Sequence, residues 1–162
     1  MLSTTSEYAL RALAYLAGQP PGTDLLCRDL AKAAEIPPNY LSKVLLTLRN
    51  AKLVDTTRGS GGGYRLHKPA KEIFLIDVIE LFDGMSRNKP ACFLQHEKPC
   101  SSSSSCSAHV LWADVQARYL GFLVSTPLSA LAPQGPPLAG VSQHPQFVSD
   151  FFPVVREAKR ER

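Results

Sequence analysis

The stretch from residue 36 to residue 66 constrains the fold of this chain most, because its pattern changes from helical to extended within a short distance. Pro37 and Pro38 suit the first turn of a helix, where the backbone N–H groups have no intrahelical partner. Apolar residues then recur at helical spacing and predict one buried stripe, formed by Leu41, Val44, Leu45 and Leu48. Residues 53–57 and 64–66 have strand character, and a glycine-rich stretch separates them. The pattern predicts a helix followed by a small β-hairpin.

Positive charge is concentrated in the same part of the chain. Residues 38–71 contain seven Lys or Arg and one acid, a net charge of +6, whereas the whole chain carries +4. A basic helix with a polar outer face fits the major groove of DNA, and a basic hairpin fits the neighbouring backbone or minor groove. One alternative is a solvated basic surface without a partner. Another is an RNA-binding surface, which is disfavoured because no aromatic residues suited to base stacking accompany these charges. The charge pattern favours binding to duplex DNA.

The residues before this stretch predict two helices. Thr4 and Glu7 match a capping box, which predicts that the first helix follows them and ends at Gly18. Thr23 or Asp24 is expected to cap the second helix. Two helices, a short turn, a third helix and a hairpin are the element order of a winged helix-turn-helix domain.

Two more helices are predicted after the hairpin, at residues 73–82 and 108–124. The later helix has an apolar face, formed by Leu111, Val115, Tyr119 and Phe122, and such a face beyond a compact domain suggests a dimer contact. The predicted fold class is mainly α with a small β-hairpin wing: a winged helix-turn-helix plus a long C-terminal dimerisation helix. The expected organisation is a DNA-binding domain at 1–84, a cysteine-bearing loop at 85–107, a dimerisation helix with a short following helix at 108–131, and a proline-rich irregular tail at 132–162.

Composition narrows the class of protein further. The chain of 162 residues has no run of about 18 apolar residues, so we expect no transmembrane span. It does not start with a basic segment followed by an apolar one, so we expect no secretory signal. Both features lead us to expect a cytoplasmic location. No C-x-x-C pair, phosphate-binding loop or serine–histidine constellation is recognisable, so we expect no enzyme activity. Cys27 lies apart from the other cysteines and is expected to be a small buried thiol.

Three of the four cysteines cluster in the loop. Cys92, Cys100 and Cys106, with His109, place three thiolates and an imidazole within 18 residues. An iron–sulfur cluster suits several thiolates with irregular spacing, whereas structural zinc sites more often show closely paired cysteines. A metal-free thiol–disulfide switch and an incidental cluster of cysteines are the other interpretations. For a metal centre, the fourth ligand is His109 or, from the other subunit of a dimer, Glu7, with Asp114 and His96 as weaker candidates.

Three segments, SEYALRALAYLA, LAKAAEIPPNYLSKVLLTLRNAKLV and RGSGGGYRLHKPAKEIFLIDVIELFDG, resemble the Rrf family of small bacterial winged-helix regulators over residues 1–131. The resemblance implies a homodimeric repressor or activator that binds a palindromic operator, with an iron–sulfur cluster, [2Fe-2S] or [4Fe-4S], in the loop. His109 lies where IscR-like members have a histidine ligand, and Glu7 lies where NsrR-like members have an acidic ligand from the partner. The residues expected to contact DNA are Asn39, Tyr40, Ser42, Lys43, Arg49, Arg58, Gly61 and Gly62.

The resemblance therefore implies a regulator whose operator affinity depends on a cluster that senses iron, redox state or nitric oxide. Because some members of the family lack a cluster, a cluster-free regulator switched by cysteine oxidation or by a small ligand is the alternative.

Overall fold

The structure, a computed structural model, describes residues 2–57, 62–85 and 108–132. Its elements in chain order are α1 (Thr4–Ala17), α2 (Cys27–Ala33), α3 (Pro38–Asn50), β1 (Val54–Thr56), β2 (Tyr64–Leu66), α4 (Leu75–Asp83) and α5 (His109–Ser125), with short 3-10 helices at Ala70–Glu72 and Leu128–Leu131. The strands pair antiparallel as a hairpin. This arrangement confirms the predicted fold class of helices with a winged hairpin. The predicted tail at 132–162 lies almost wholly outside the described ranges.

The apolar stripe predicted for α3 forms the centre of the core. Leu41, Val44, Leu45 and Leu48 are all buried, as the helical spacing requires. Helices α1 and α4 supply the other large buried side chains, including Leu13, Ile79 and Val78. The buried stripe fixes which face of α3 remains available to a partner, because most side chains on the opposite face are exposed.

Helix α1 begins earlier than its sequence suggests. The side chain of Ser3 caps it by accepting a hydrogen bond from the Ser6 N–H at 3.2 Å, and Thr4 is already helical. The predicted capping box of Thr4 and Glu7 was therefore wrong, because the actual cap lies one residue before it. Ser3 also donates to the carboxylate of Asp83 at the end of α4, through its N–H at 3.2 Å and through its hydroxyl.

The start of α2 was also predicted wrongly. Neither Thr23 nor Asp24 caps it; the helix begins at Cys27, without a side-chain cap. The backbone of Leu25 instead pairs with β2, since its N–H donates to Tyr64 O at 3.0 Å and its carbonyl accepts from Tyr64 N at 2.8 Å. The segment before α2 is thus extended and joins the hairpin as a third backbone partner.

Gly63 makes that close approach possible. A Cβ atom at this position would lie 2.6 Å from the carbonyl oxygen of Leu25, well inside van der Waals contact. Only glycine has room here, so Gly63, the last glycine of the glycine-rich stretch, is required for the backbone pairing.

Two helix ends use residues other than glycine in the left-handed region. Glu35 after α2 has φ 54°, and Lys52 after α3 has φ 56°. In both, the last turn is closed by a pair of backbone hydrogen bonds of the Schellman type, such as Ile36 N to Ala31 O and Leu53 N to Leu48 O, each at 2.9 Å.

Helix α5 returns the chain to the body of the protein at its C-terminal end. Leu123 is buried, the Leu75 N–H donates to Thr126 O at 3.0 Å, and the Leu128 N–H donates to Ile73 O at 2.7 Å. Within the described ranges, no helix is long and apolar enough to cross a membrane.

Candidate nucleic-acid interface

The outward face of α3 carries five of the residues expected to contact DNA. Asn39, Tyr40, Ser42, Lys43 and Arg49 are all exposed, opposite the buried stripe. The Ser42 hydroxyl donates to the carbonyl of Pro38 at 3.0 Å, so it folds back on the first turn of its own helix. This face offers amide, hydroxyl and cationic groups in one row, which are the groups that read base edges and phosphates.

Tyr40 is held in place by helix α1. Its ring meets that of Tyr8 edge to face, with ring centroids 6.2 Å apart, while the Tyr40 side chain stays 60% exposed. Such an aromatic pair adds about 0.5–1.5 kcal/mol beyond the buried area. Helix α1 therefore orients an exposed aromatic residue at the start of α3.

Leu46 is an exposed residue of this face that the sequence analysis missed. It is 55% exposed and lies one turn beyond Ser42 and Lys43 on α3. Its position at i+4 and i+3 from these two residues, outside the apolar stripe, was the available signal. In a major groove, an apolar side chain at this place suits contact with a thymine methyl group.

The hairpin lies beside the C-terminal end of α3. Arg49, Lys52, Asp55 and His67 line one shallow depression between the helix and the hairpin. Asp55 and Arg65 are cross-strand neighbours, and the His67 Nδ1 lies 2.8 Å from an Asp55 carboxylate oxygen. The helix and the hairpin thus present one continuous surface with more basic than acidic groups.

The three predicted wing residues lie between the two strands in the sequence. Arg58 and Gly61 lie outside the residues that the structure describes, and Gly62 is described and half-buried. Arg65, which the sequence analysis did not single out, projects from β2 and lies 3.9 Å from Asp24.

The predicted metal ligands are divided between described and undescribed parts of the chain. Cys92, Cys100 and Cys106 lie outside the described residues, whereas His109 is the first residue of α5. The His109 Nδ1 is buried and, within the described parts of the chain, has no hydrogen-bond partner. A buried imidazole nitrogen without a partner is chemically suited to a ligand role.

The alternative ligand, Glu7, is exposed on the first turn of α1. One of its carboxylate oxygens lies 3.8 Å from the Arg11 guanidinium, which is also 3.3 Å from Glu35. Residues 2–57, 62–85 and 108–132 on their own bring together no group of three or more His, Cys, Asp or Glu side chains suited to a metal.

Cys27 lies at the start of α2 and is partly buried, whereas the sequence predicted a small buried thiol. Its Sγ is 3.7 Å from the hydroxyl oxygen of Ser42. The thiol therefore contacts the outward face of α3.

Comparison with known proteins gives a consistent result. A family model described as "Rrf2: Iron-dependent Transcriptional regulator" matches residues 2–134, which confirms the family resemblance seen in the sequence. The IscR transcriptional regulator of Photorhabdus laumondii is 32% identical over 130 residues, which is 80% of this chain and 77% of that protein.

Two further similarities add detail. A Mycobacterium tuberculosis protein with the provisional name of HTH-type transcriptional regulator is 43% identical to this chain over 83 residues. The match covers 51% of this chain and 52% of the relative, so the chain spans about half the length of that relative. The solved structure of CymR, described as the global cysteine regulator of Bacillus subtilis, superposes with a TM-score of 0.67 at 26% identity. That superposition covers 82% of this chain and 95% of CymR.

Proposed function

Since this chain belongs to the Rrf2 family of transcriptional regulators, we propose that it is a homodimer that binds a palindromic operator in duplex DNA, with an affinity set by an iron–sulfur cluster. In this proposal residues 1–84 bind DNA, residues 85–107 carry the cluster ligands, and residues 108–131 form the dimer contact. The protein acts as a repressor or activator and not as an enzyme.

The observation that carries the DNA-binding proposal is the outward face of α3 next to the hairpin. The buried stripe leaves Asn39, Ser42 and Lys43 exposed in a row, and Arg49 extends the row toward the basic hairpin. A helix with this face enters a major groove, and the hairpin then lies against the adjacent backbone or minor groove. We propose the same role for Tyr40 in the helix and for Arg58, Gly61 and Gly62 in the wing.

In vitro selection from random DNA duplexes tests this proposal directly. The full chain should enrich duplexes that contain an inverted repeat, with half-sites separated by about one helical turn. Enrichment of single half-sites would contradict the dimer, and a failure to enrich any duplex would contradict DNA binding.

The proposed dimer rests on the exposed apolar side chains of α5. Leu111 is 71% exposed, Val115 53% and Phe122 50%, all on the face that the sequence predicted. Several large exposed apolar side chains on one helix are unusual on a monomer, and pairing two copies of α5 would cover them.

The donor set of the chain suits an iron–sulfur cluster. We propose Cys92, Cys100 and Cys106 as thiolate ligands and His109 as the fourth, with Glu7 of a second copy as the alternative. The buried His109 Nδ1, without a partner in the described ranges, supports the histidine. When bound, such a cluster supplies an oxidisable centre that responds to iron supply and to oxidants. Because the three cysteines lie in the chain between α4 and α5 and His109 begins α5, ligation by these four residues would tie the two helices together.

Anaerobic spectroscopy separates the cluster from its alternatives. Protein purified without oxygen should show visible charge-transfer absorbance with matching iron and sulfide content, and Cys100→Ala should abolish it. Cys27→Ala is the matched control, because Cys27 lies on α2 and should leave the absorbance intact. Loss of colour in His109→Ala but not in Glu7→Ala would assign the histidine, and the reverse would assign the carboxylate. Colourless protein after anaerobic reconstitution would contradict the cluster.

The specific contact between Cys27 and Ser42 favours one other candidate function, a cluster-free regulator switched by cysteine oxidation. Oxidation of this thiol by peroxide would add a polar oxygen to an Sγ atom that lies 3.7 Å from the Ser42 hydroxyl oxygen on the outward face of α3. In that case DNA binding by colourless protein should fall after peroxide treatment, and Cys27→Ser should be insensitive to peroxide.

A further inference from the structure

Asp24 joins the hairpin to the segment that leads into α2. Its Oδ2 accepts a hydrogen bond from the Thr57 hydroxyl at 2.7 Å, and the same oxygen lies 3.9 Å from the Arg65 guanidinium. Thr57 follows β1 and Arg65 is the middle residue of β2, so one carboxylate contacts both arms of the hairpin. We propose that Asp24 is a positioning residue for DNA binding, which holds the hairpin in place beside α3. This inference rests on the proposed DNA-binding function.

The surroundings of Asp24 make this anchor well defined. The Asp24 side chain is only 19% exposed, and the next residue, Leu25, makes two backbone hydrogen bonds to Tyr64. The Thr57 N–H donates to Gly63 O at 3.0 Å, so the backbone that carries the Thr57 hydroxyl is held by a hydrogen bond to the other arm of the hairpin. A hydrogen bond between two groups held in this way loses little side-chain entropy when it forms.

The other anionic groups near Arg65 do not replace Asp24. Asp55 lies directly opposite Arg65 in the hairpin, but its carboxylate is 2.8 Å from His67. Among the residues that the structure describes, Asp24 is thus the acid within ion-pair distance of Arg65.

Because Asp24 is negatively charged, the direction in which DNA affinity changes when it is removed tests the inference. A carboxylate beside a basic surface repels phosphate, so removing it should strengthen DNA binding if electrostatics alone acted. The second oxygen of Asp24 is also buried and has no hydrogen-bond partner among the described residues, which is a cost to folding. A positioning role predicts the opposite outcome, weaker binding on removal of the acid.

The test compares Asp24→Ala and Thr57→Val with the wild-type chain, using a duplex that the wild type selects from random sequences. Both variants should bind that duplex roughly 3- to 10-fold more weakly, the effect of one lost hydrogen bond. Thr57→Val changes no charge, and Thr57→Ser, which keeps the hydroxyl, is the matched control that should bind as the wild type does. The double variant should bind no more weakly than Asp24→Ala alone, because both changes remove one interaction.

The salt dependence of binding separates positioning from general destabilisation. A displaced hairpin should lose about one phosphate contact, so the slope of log affinity against log salt should become shallower by about 1 in Asp24→Ala and Thr57→Val. A smaller folded fraction would lower the affinity and leave that slope unchanged.

Specific results would overturn the inference. Tighter binding by Asp24→Ala would show that only its charge matters, and wild-type binding by Thr57→Val would show that the hydrogen bond is not needed. Since Thr57 is exposed, its variants also decide the question if Asp24→Ala does not fold. If the wild-type chain selects no duplex, the proposed function fails and this inference fails with it.

Discussion

At the scale of single residues, two helix ends of this protein carry side chains where glycine is usual. Glu35 and Lys52 both adopt positive φ, where a Cβ atom costs about 1 kcal/mol or more. At Glu35 the cost of this conformation is offset in part by the ion pair with Arg11 at 3.3 Å. Both groups are solvent-exposed, and such pairs contribute little to stability. Among the described residues, Lys52 makes no ion pair that would offset the cost of its backbone conformation, so it is the better site for a test of strain.

Lys52→Gly should raise the free energy of unfolding by about 0.5–1 kcal/mol, because glycine adopts this conformation without a steric cost and loses only part of that gain to the unfolded chain. Lys52→Ala keeps the Cβ atom and should give no such gain. Urea denaturation of the three proteins measures the difference, and a less stable Lys52→Gly would contradict the strain at this position.

Gly63→Ala should have the opposite effect. The added Cβ would lie 2.6 Å from Leu25 O, so the pairing of Leu25 with Tyr64 must open, at a cost of about 1–3 kcal/mol. Gly121→Ala on α5 is the control, since no atom outside the local helix lies within 4 Å of its Cβ position and a helical alanine should stabilise by up to about 1 kcal/mol. Thermal unfolding of both variants checks the two signs.

At the scale of elements, α5 differs from the other long helices because so little of it is buried. Leu123 is its one fully buried residue, while Val110 and Val124 are exposed in addition to the predicted face. The apolar surface is therefore broader than the predicted stripe, and the ion pair of Asp114 with Arg118 at 2.8 Å interrupts it.

Val115→Asp should convert the proposed dimer to a monomer. An unpaired carboxylate in an apolar interface costs about 3 kcal/mol or more, which corresponds to an increase on the order of 100-fold in the dimer dissociation constant. Pro21→Asp, in the exposed loop after α1, adds the same charge away from α5 and should leave the dimer intact. Light scattering over a concentration series measures the mass, and a Val115→Asp dimer would exclude this face as the contact.

Tyr119 on α5 lies within the electrostatic influence of Asp83, the last residue of α4. Burial of the phenol, and then the nearby charge of Asp83, raise the pKa of Tyr119 above its usual value of 10.0. A group whose pKa is raised on folding keeps its proton longer in the native state, so this contribution to stability is present below pH 10 and is lost as pH rises beyond it. Tyr119→Phe should remove that part of the alkaline loss of stability, as measured by denaturation at several pH values.

At the scale of the whole molecule, the positive charge of residues 38–71 should control the salt dependence of binding. Lys43→Ala should weaken binding to a selected duplex and make the slope against log salt shallower by about 0.9, the contribution of one phosphate contact. Arg118→Ala removes a cation outside this segment and should leave the slope unchanged. An unchanged slope in Lys43→Ala would remove Lys43 from the phosphate contacts.

The parts of the fold and the site that follow local rules could be predicted from the sequence. The prolines and the apolar stripe defined α3 and its outward face, and the glycine-rich turn defined the hairpin. The start of α2 could not be predicted in this way, because it depends on pairing between Leu25 and Tyr64, which are distant in the chain. For the same reason, nothing in the sequence connected Asp24 with Thr57 and Arg65, since only the tertiary fold brings them together.

The hydrogen bonds between Ser3 and Asp83 have a mechanical consequence. Asp83 is the last residue of α4, and the chain continues from there through Gly84 toward the cysteine-bearing residues, while Ser3 caps α1, the helix whose Tyr8 supports Tyr40. A displacement of the chain just after α4 would therefore be transmitted to the first turn of α1 through the Asp83 carboxylate. The Ser3–Asp83 hydrogen bonds therefore connect the segment proposed to bind the cluster with the helix that supports Tyr40, which is proposed to face DNA.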